Sequence, residues 1–180
     1  MRRLTEKQHG VLKGMVFGMI IAISIVGLGS YLNPFGYQEP ISLVSKLNIL
    51  AVSLIIPTFF LAIAIGRLAK HRFFTAEDID GGGMSRGSEQ AKVLQALLQN
   101  TVEQTLLASL IYGAWLIVMP AKFLSTVPLA ALAFGLGRIL FFVGYNSGAP
   151  SRALGFTLSF YPSMVMFIGI VGNQIGQLVS

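Results

Sequence analysis

Five long apolar stretches dominate the chain, divided by short polar segments. They cover approximately residues 14–32, 44–66, 93–119, 124–146 and 152–177. Each is close to the ~20 residues that an α-helix needs to cross a ~30 Å hydrocarbon layer. The pattern predicts an all-α integral membrane bundle with five spans. The first stretch could also be read as a cleavable signal peptide. Its apolar core is too long and no small-residue cleavage site follows it, so an uncleaved anchor is expected.

Composition agrees with this reading. Of the 180 residues, 54% are hydrophobic and 11% charged, against roughly 25% charged in a typical soluble domain. The mean hydropathy is +0.73. One globular core could not hide that much apolar surface, so the lipid bilayer is an expected partner.

Charge then sets an orientation. The formal net charge is +6, but the basic residues sit in chain ends and loops rather than along one face, so no nucleic-acid partner is expected. Arg2, Arg3, Lys7 and Lys13 precede or open the first span. Arg67, Lys70, Arg72, Arg86 and Lys92 lie between the second and third, and Arg152 opens the fifth. These segments share one side when the spans alternate. The positive-inside rule makes that side cytoplasmic, with the C-terminus external. A bacterial inner membrane is the expected location.

The chain has no cysteine, which excludes disulfides, a thiol nucleophile and cysteine metal sites. His9 and His71 are far apart, so no metal site is expected. The longest connection, "HRFFTAEDIDGGGMSRGSEQAK", contains a triple glycine and reads as a flexible solvated loop. "GMVFG" places Gly14 and Gly18 at the G-x-x-x-G helix-packing spacing.

The polar residues inside the third span need a separate account. "ALLQNTVEQTLLA" carries Gln99, Asn100, Glu103 and Gln104. Asn100 and Glu103 are three residues apart and share a helix face. Counting ~1.5 Å per residue from Lys92, Glu103 lies roughly 16 Å into the helix. A charge at that depth costs at least ~2.5 kcal/mol, so it should face the bundle and have a partner. Arg138, roughly 12 Å in from Asn146 on the antiparallel fourth span, is the expected partner. Arg138, Phe141 and Tyr145 form one stripe at i, i+3, i+7. A plain ion pair would fix helix register, but Gln99, Asn100, Gln104, Tyr145 and Arg152 exceed what one pair needs. A polar pocket opening to the cytoplasm accounts for them better. A proton path is disfavoured because the membrane holds no second carboxylate to relay through.

"GYNSGAPSRALGF" adds a further element. Pro150 suits the first turn of a helix and puts Arg152 within that turn. A helix N-terminus carries about half a positive charge and free N–H donors. With a guanidinium beside it, the place suits an anion or a bound thiolate. Alternatively, Arg152 snorkels to lipid headgroups.

Over roughly residues 45–178 the chain resembles the MAPEG family, the membrane-associated proteins of eicosanoid and glutathione metabolism. "NTVEQ" is similar to the N-x-x-E signature of the family's second helix. "GRILFFVGYNSGAPSR" is similar to its third-helix pattern, and "GRLAKHRFFTAED" to the end of its first helix. The sequence departs from that pattern at Ala96, Gln104 and Phe141, where arginine, an aromatic residue, and tyrosine or histidine are common.

The resemblance implies a four-helix domain over 44–180, preceded by residues 1–43 as a cytoplasmic tail, an extra transmembrane helix and an external loop. It also implies a homotrimer with glutathione, as co-substrate, bound between protomers at the cytosolic side. By position, Arg67, Asn100, Glu103, Arg138 and Tyr145 would bind glutathione, with Gln99 added from the polar surplus. Arg152 would be the catalytic residue, stabilising the thiolate. The function so implied is a glutathione transferase or peroxidase acting on lipophilic electrophiles. The alternatives are a non-catalytic lipid-binding or scaffold protein on the same fold, and a transporter.

Overall fold

The structure is a computed structural model that describes residues 4–84 and 86–179. It contains five long helices, each apolar enough over its length to cross a membrane. They are α1 (Glu6–Tyr31), α2 (Leu43–Phe74), α3 (Glu89–Val118), α4 (Thr126–Gly144) and α5 (Ala149–Val179). The chain is thus an all-α, multi-pass integral membrane protein.

Side-chain caps set where three of the helices begin. Thr5 and Gln8 form a reciprocal capping box at the start of α1. Ser42 and Ser88 accept from the third-residue N–H of α2 and α3. Each such cap satisfies one of the otherwise orphaned donors of a first turn.

Two helix ends depart from the hydrophobic pattern. The apolar stretch of α2 ends near residue 66, but the helix continues to Phe74 and converts the start of the expected loop into helix. Its 32 residues reach about 48 Å, well beyond a ~30 Å core. Leaving the membrane removes the need for apolar side chains but not the backbone hydrogen bonds, and Leu68, Ala69, Lys70 and Arg72 are good helix formers. In the same way α1 starts at Glu6 rather than near residue 14, because its cap lies outside the apolar core. The short turn Ala76–Asp78 then leads toward Ser88.

The helices alternate in direction. Gly10, Gly14 and Gly18 of α1 lie against Pro150, Ala153 and Thr157 of α5, so these two helices run parallel. A Cβ at Gly14 would come within 2.8 Å of the Ala153 Cβ and 3.0 Å of the Leu154 nitrogen. The spacing noted in the sequence is therefore used, as in other close membrane helix pairs. α4 and α5 approach equally closely, with Gly155 directly against the backbone of Phe141.

The buried core is in two parts. The larger joins Tyr112, Trp115, Leu116, Leu124, Val127, Phe134 and Met166 near the start of α4. The smaller joins Leu68, Leu94, Leu97 and Phe141 toward the opposite end. At that end the α1, α3 and α5 N-termini meet the α2 and α4 C-termini, gathering the basic segments on one side. The outer surface bears many exposed large apolar residues, including Phe17, Ile55, Phe59, Leu110 and Ile168, as a lipid-facing surface requires.

Candidate functional site

The site is built around Arg138. This guanidinium is fully buried on α4. Its Nη1 donates to Asn100 Oδ1 at 2.9 Å and its Nε to Ser159 Oγ at 3.0 Å. Ser159 in turn donates to the Gly155 carbonyl one turn back on α5. The cation also lies 4.6 Å from the Phe141 ring centroid and 5.6 Å from that of Phe134. Neutral acceptors and two aromatic faces thus stabilise a charge that is costly to bury alone. Its Nη2 has no hydrogen-bond partner among the described residues.

The expected Glu103–Arg138 ion pair is not formed. Glu103 instead accepts from Gln99 Nε2 at 2.8 Å, on its own helix, and its side chain is exposed to a cavity. Three residues along a helix rotate the side chain by about 60° in net azimuth. Asn100 points toward α4 and α5, and Glu103 beside them. The expected partners lie at similar depths, but Glu103 does not point at Arg138.

That cavity, of about 540 Å³, brings together Gln99, Asn100 and Glu103 from α3, Tyr145 after α4, and Arg152 from α5. Arg152 lies in the first turn of α5, with Pro150 just before it, as the sequence pattern anticipates. Its guanidinium is 4.3 Å from the centroid of the Tyr145 ring, and Tyr145 stands edge-on to Phe141 at 5.4 Å. Among the described residues Arg152 has no carboxylate partner. Arg138 is one hydrogen bond behind the wall, holding Asn100. Arg67 stands apart, 5.4 Å over Phe142, in a separate hollow with Lys70 and His71.

Val11 and Met15 of α1 and Phe156 of α5 also line the cavity. The sequence reading did not include them. The Gly14–Gly18 spacing marks α1 as a close-packing helix, but not the helix it meets. Ser159, which holds Arg138, carries no sequence mark of its role.

A second cavity of about 670 Å³ adjoins the first, and Ala96 and Gln99 line both. Its wall contains Arg72, Arg86, Lys92 and the glycine run 81–83. A three-residue clasp closes one side. Asp78 accepts from the Ser88 N–H at 2.8 Å, from Ser88 Oγ at 2.6 Å and from His71 Nε2 at 2.8 Å. The Ser88 hydrogen bonds, above all, and then the His71 contact hold the Asp78 carboxyl below its ordinary pKa.

The model of the MAPEG family matches residues 47–172, from the first turns of α2 to most of α5. The chain belongs to the MAPEG family. No curated protein and no solved structure matches it. Membership puts this chain among membrane proteins of glutathione or eicosanoid metabolism. The match includes every polar residue that lines the first cavity on α3 and α5, as well as Arg138 and Tyr145, and leaves α1 outside.

Proposed function

We propose that this MAPEG protein is a glutathione-dependent membrane enzyme, a transferase or peroxidase acting on lipophilic electrophiles. The observation that carries this reading is one cavity with opposite charges at separate places. Glu103 faces it from α3, and Arg152, without a carboxylate partner, faces it from the first turn of α5. Glutathione fits that arrangement, and it supplies the thiol that a chain without cysteine lacks. Glu103, Gln99 and Asn100 would hold its ammonium and peptide groups. Tyr145 would position Arg152 through its ring.

Arg152 would favour the charged form of the thiol, because a nearby cation and a helix N-terminus both stabilise an anion. In a transfer, the sulfur bonds to an electrophilic carbon as the leaving group departs with its electron pair, and the thiol proton passes to solvent. Apolar walls at Val11, Met15, Phe141 and Phe156 would admit the electrophile from the bilayer and exclude water.

The same proposal includes a homotrimer, an N-terminus in the cytoplasm of a bacterial cell, and residues 1–43 as an addition to a 44–180 MAPEG domain. Arg67 joins the ligand set only if a neighbouring protomer changes its surroundings. Calorimetry with glutathione on the detergent-purified protein, together with a conjugation assay, tests the reading. Micromolar to millimolar binding with turnover that Arg152→Ala abolishes is expected. The apolar lining also favours a second reading, a lipid-binding scaffold, for which lipid would bind and glutathione would not.

A further inference from the structure

The two adjoining cavities divide their charges unevenly. In the first, Glu103 is the anion and Arg152 the accessible cation, while Arg138 is buried and committed to Asn100 and Ser159. In the second, Arg72, Arg86 and Lys92 line the wall and Asp78 is the one acid among the lining residues. Both Asp78 oxygens are already engaged by Ser88 and His71. Lys92 pairs with Glu89 at 2.7 Å, which leaves Arg72 and Arg86 without a carboxylate among the described residues.

Glutathione carries an ammonium, a thiol and two carboxylates. If Glu103 takes the ammonium and Arg152 the thiolate, the first cavity has no accessible cation for the carboxylates. Resting on the glutathione reading, we infer that the second cavity is the carboxylate subsite, with Arg72 and Arg86 as its cations and Ala96 as the passage.

The spacing along α3 supports this. Lys92, Ala96, Gln99 and Glu103 fall on one stripe of the helix, within about 60° of each other. Arg72 is held at the level of Gln95, whose Oε1 accepts from its Nη2 at 3.1 Å. Gln95 is eight residues before Glu103, a rise of about 12 Å. An extended tripeptide reaches about 10 Å or more, so one molecule can touch Glu103 and Arg72 together. Ala96 and Gln99 line both cavities, and at Ala96 only a methyl group stands between them. The glycine run in the wall of the second cavity has no side chains to fill it, which lets a polar ligand approach closely.

The test compares glutathione with its diethyl ester, in which both carboxylates are blocked, by calorimetry on the full-length protein in detergent. Wild-type protein should bind glutathione at least tenfold more tightly than the diester. The double variant Arg72→Gln/Arg86→Gln should lose tenfold or more for glutathione and none for the diester. Arg72→Lys/Arg86→Lys should retain part of the difference, because the charge remains. Ala96→Phe, which fills the passage and leaves the arginines in place, should weaken glutathione more than the diester, because Ala96 also borders the first cavity. If wild-type protein binds both ligands equally and the glutamine variant changes neither, the carboxylate subsite is wrong and the glutathione reading stands. If wild-type protein binds neither, the glutathione reading itself falls.

Discussion

Arg138 and Asn100 meet at 2.9 Å, guanidinium to amide oxygen, and no carboxylate pairs with that guanidinium among the described residues. A buried cation with only neutral acceptors depends on each of them. Asn100→Leu keeps the volume and removes the acceptor. The loss should be about 1–3 kcal/mol, the cost of a charged hydrogen bond left unmade, and smaller if lipid-embedded partners compensate. Ser159→Ala should act in the same direction. Glu103→Gln should leave the melting temperature nearly unchanged, because among the described residues Gln99 is its one hydrogen-bond partner. Thermal unfolding in detergent measures all three, and a large loss for Glu103→Gln would mean that an ion pair exists after all.

This contrast shows what the sequence could and could not disclose. Five spans are legible because uninterrupted apolar runs have no other stable place than lipid. Arg152 in the first turn of α5 is legible because Pro150 fits just there. The partner of Arg138 is not. Counting residues gives depth along each helix, but the rotation of two helices about their axes depends on packing. Here the close approach of α4 and α5 at Gly137 and Gly155 brings Ser159 to the guanidinium. Likewise Gly14 and Gly18 declare a packing face for α1 without naming α5 as its target, and Gly10 joins that face only in the structure. The α2 overrun is hidden for a simpler reason, since hydropathy reports where lipid ends rather than where a helix does.

The α1–α5 contact should therefore affect both stability and the cavity. Gly14→Leu would drive a side chain into Ala153 and the Leu154 backbone, and overpacking of this kind costs about 1–3 kcal/mol. The melting temperature should fall. Because α1 carries Val11 and Met15 into the first cavity, binding of an apolar ligand should weaken as well. Met15→Ala should widen the cavity with little effect on melting and shift preference toward bulkier apolar ligands. Identical ligand preference in Met15→Ala and wild type would remove α1 from the site.

Acid should loosen the α2–α3 connection through Asp78. Its carboxyl titrates below the ordinary aspartate value because Ser88 and His71 donate to it. A group whose folded pKa is depressed adds stability above its unfolded pKa and loses it as pH falls through the folded one. The Asp78 contribution should thus be constant from about pH 8 to about pH 5 and fade progressively below about pH 5, where the unfolded carboxyl begins to protonate. The melting-temperature gap between wild type and Asp78→Ala should follow that course. Ser88→Ala should narrow the gap, because it removes the first of the interactions that depress the pKa. A gap that stays constant down to the lowest pH would show that folding does not lower the Asp78 pKa.

The thiol of bound glutathione is the most direct measure of Arg152. A free thiol with a pKa of about 8.5 is only a few per cent thiolate at neutral pH. A guanidinium and a helix N-terminus lower thiol pKa values by ~1–3 units or more elsewhere. Ultraviolet absorbance of the thiolate allows the bound thiol to be titrated in place. With wild-type protein it should ionise below the free value. Arg152→Ala should return it toward 8.5 while binding persists through Gln99, Asn100 and Glu103. Arg152→Lys should retain part of the shift, since charge remains but the planar fork over Tyr145 is lost. Tyr145→Leu, with Arg152 intact but no ring beneath it, should give an intermediate value if the ring positions the cation. Glutathione that binds wild-type protein with an unshifted thiol would remove Arg152 from catalysis and leave lipid binding as the better account of the cavity.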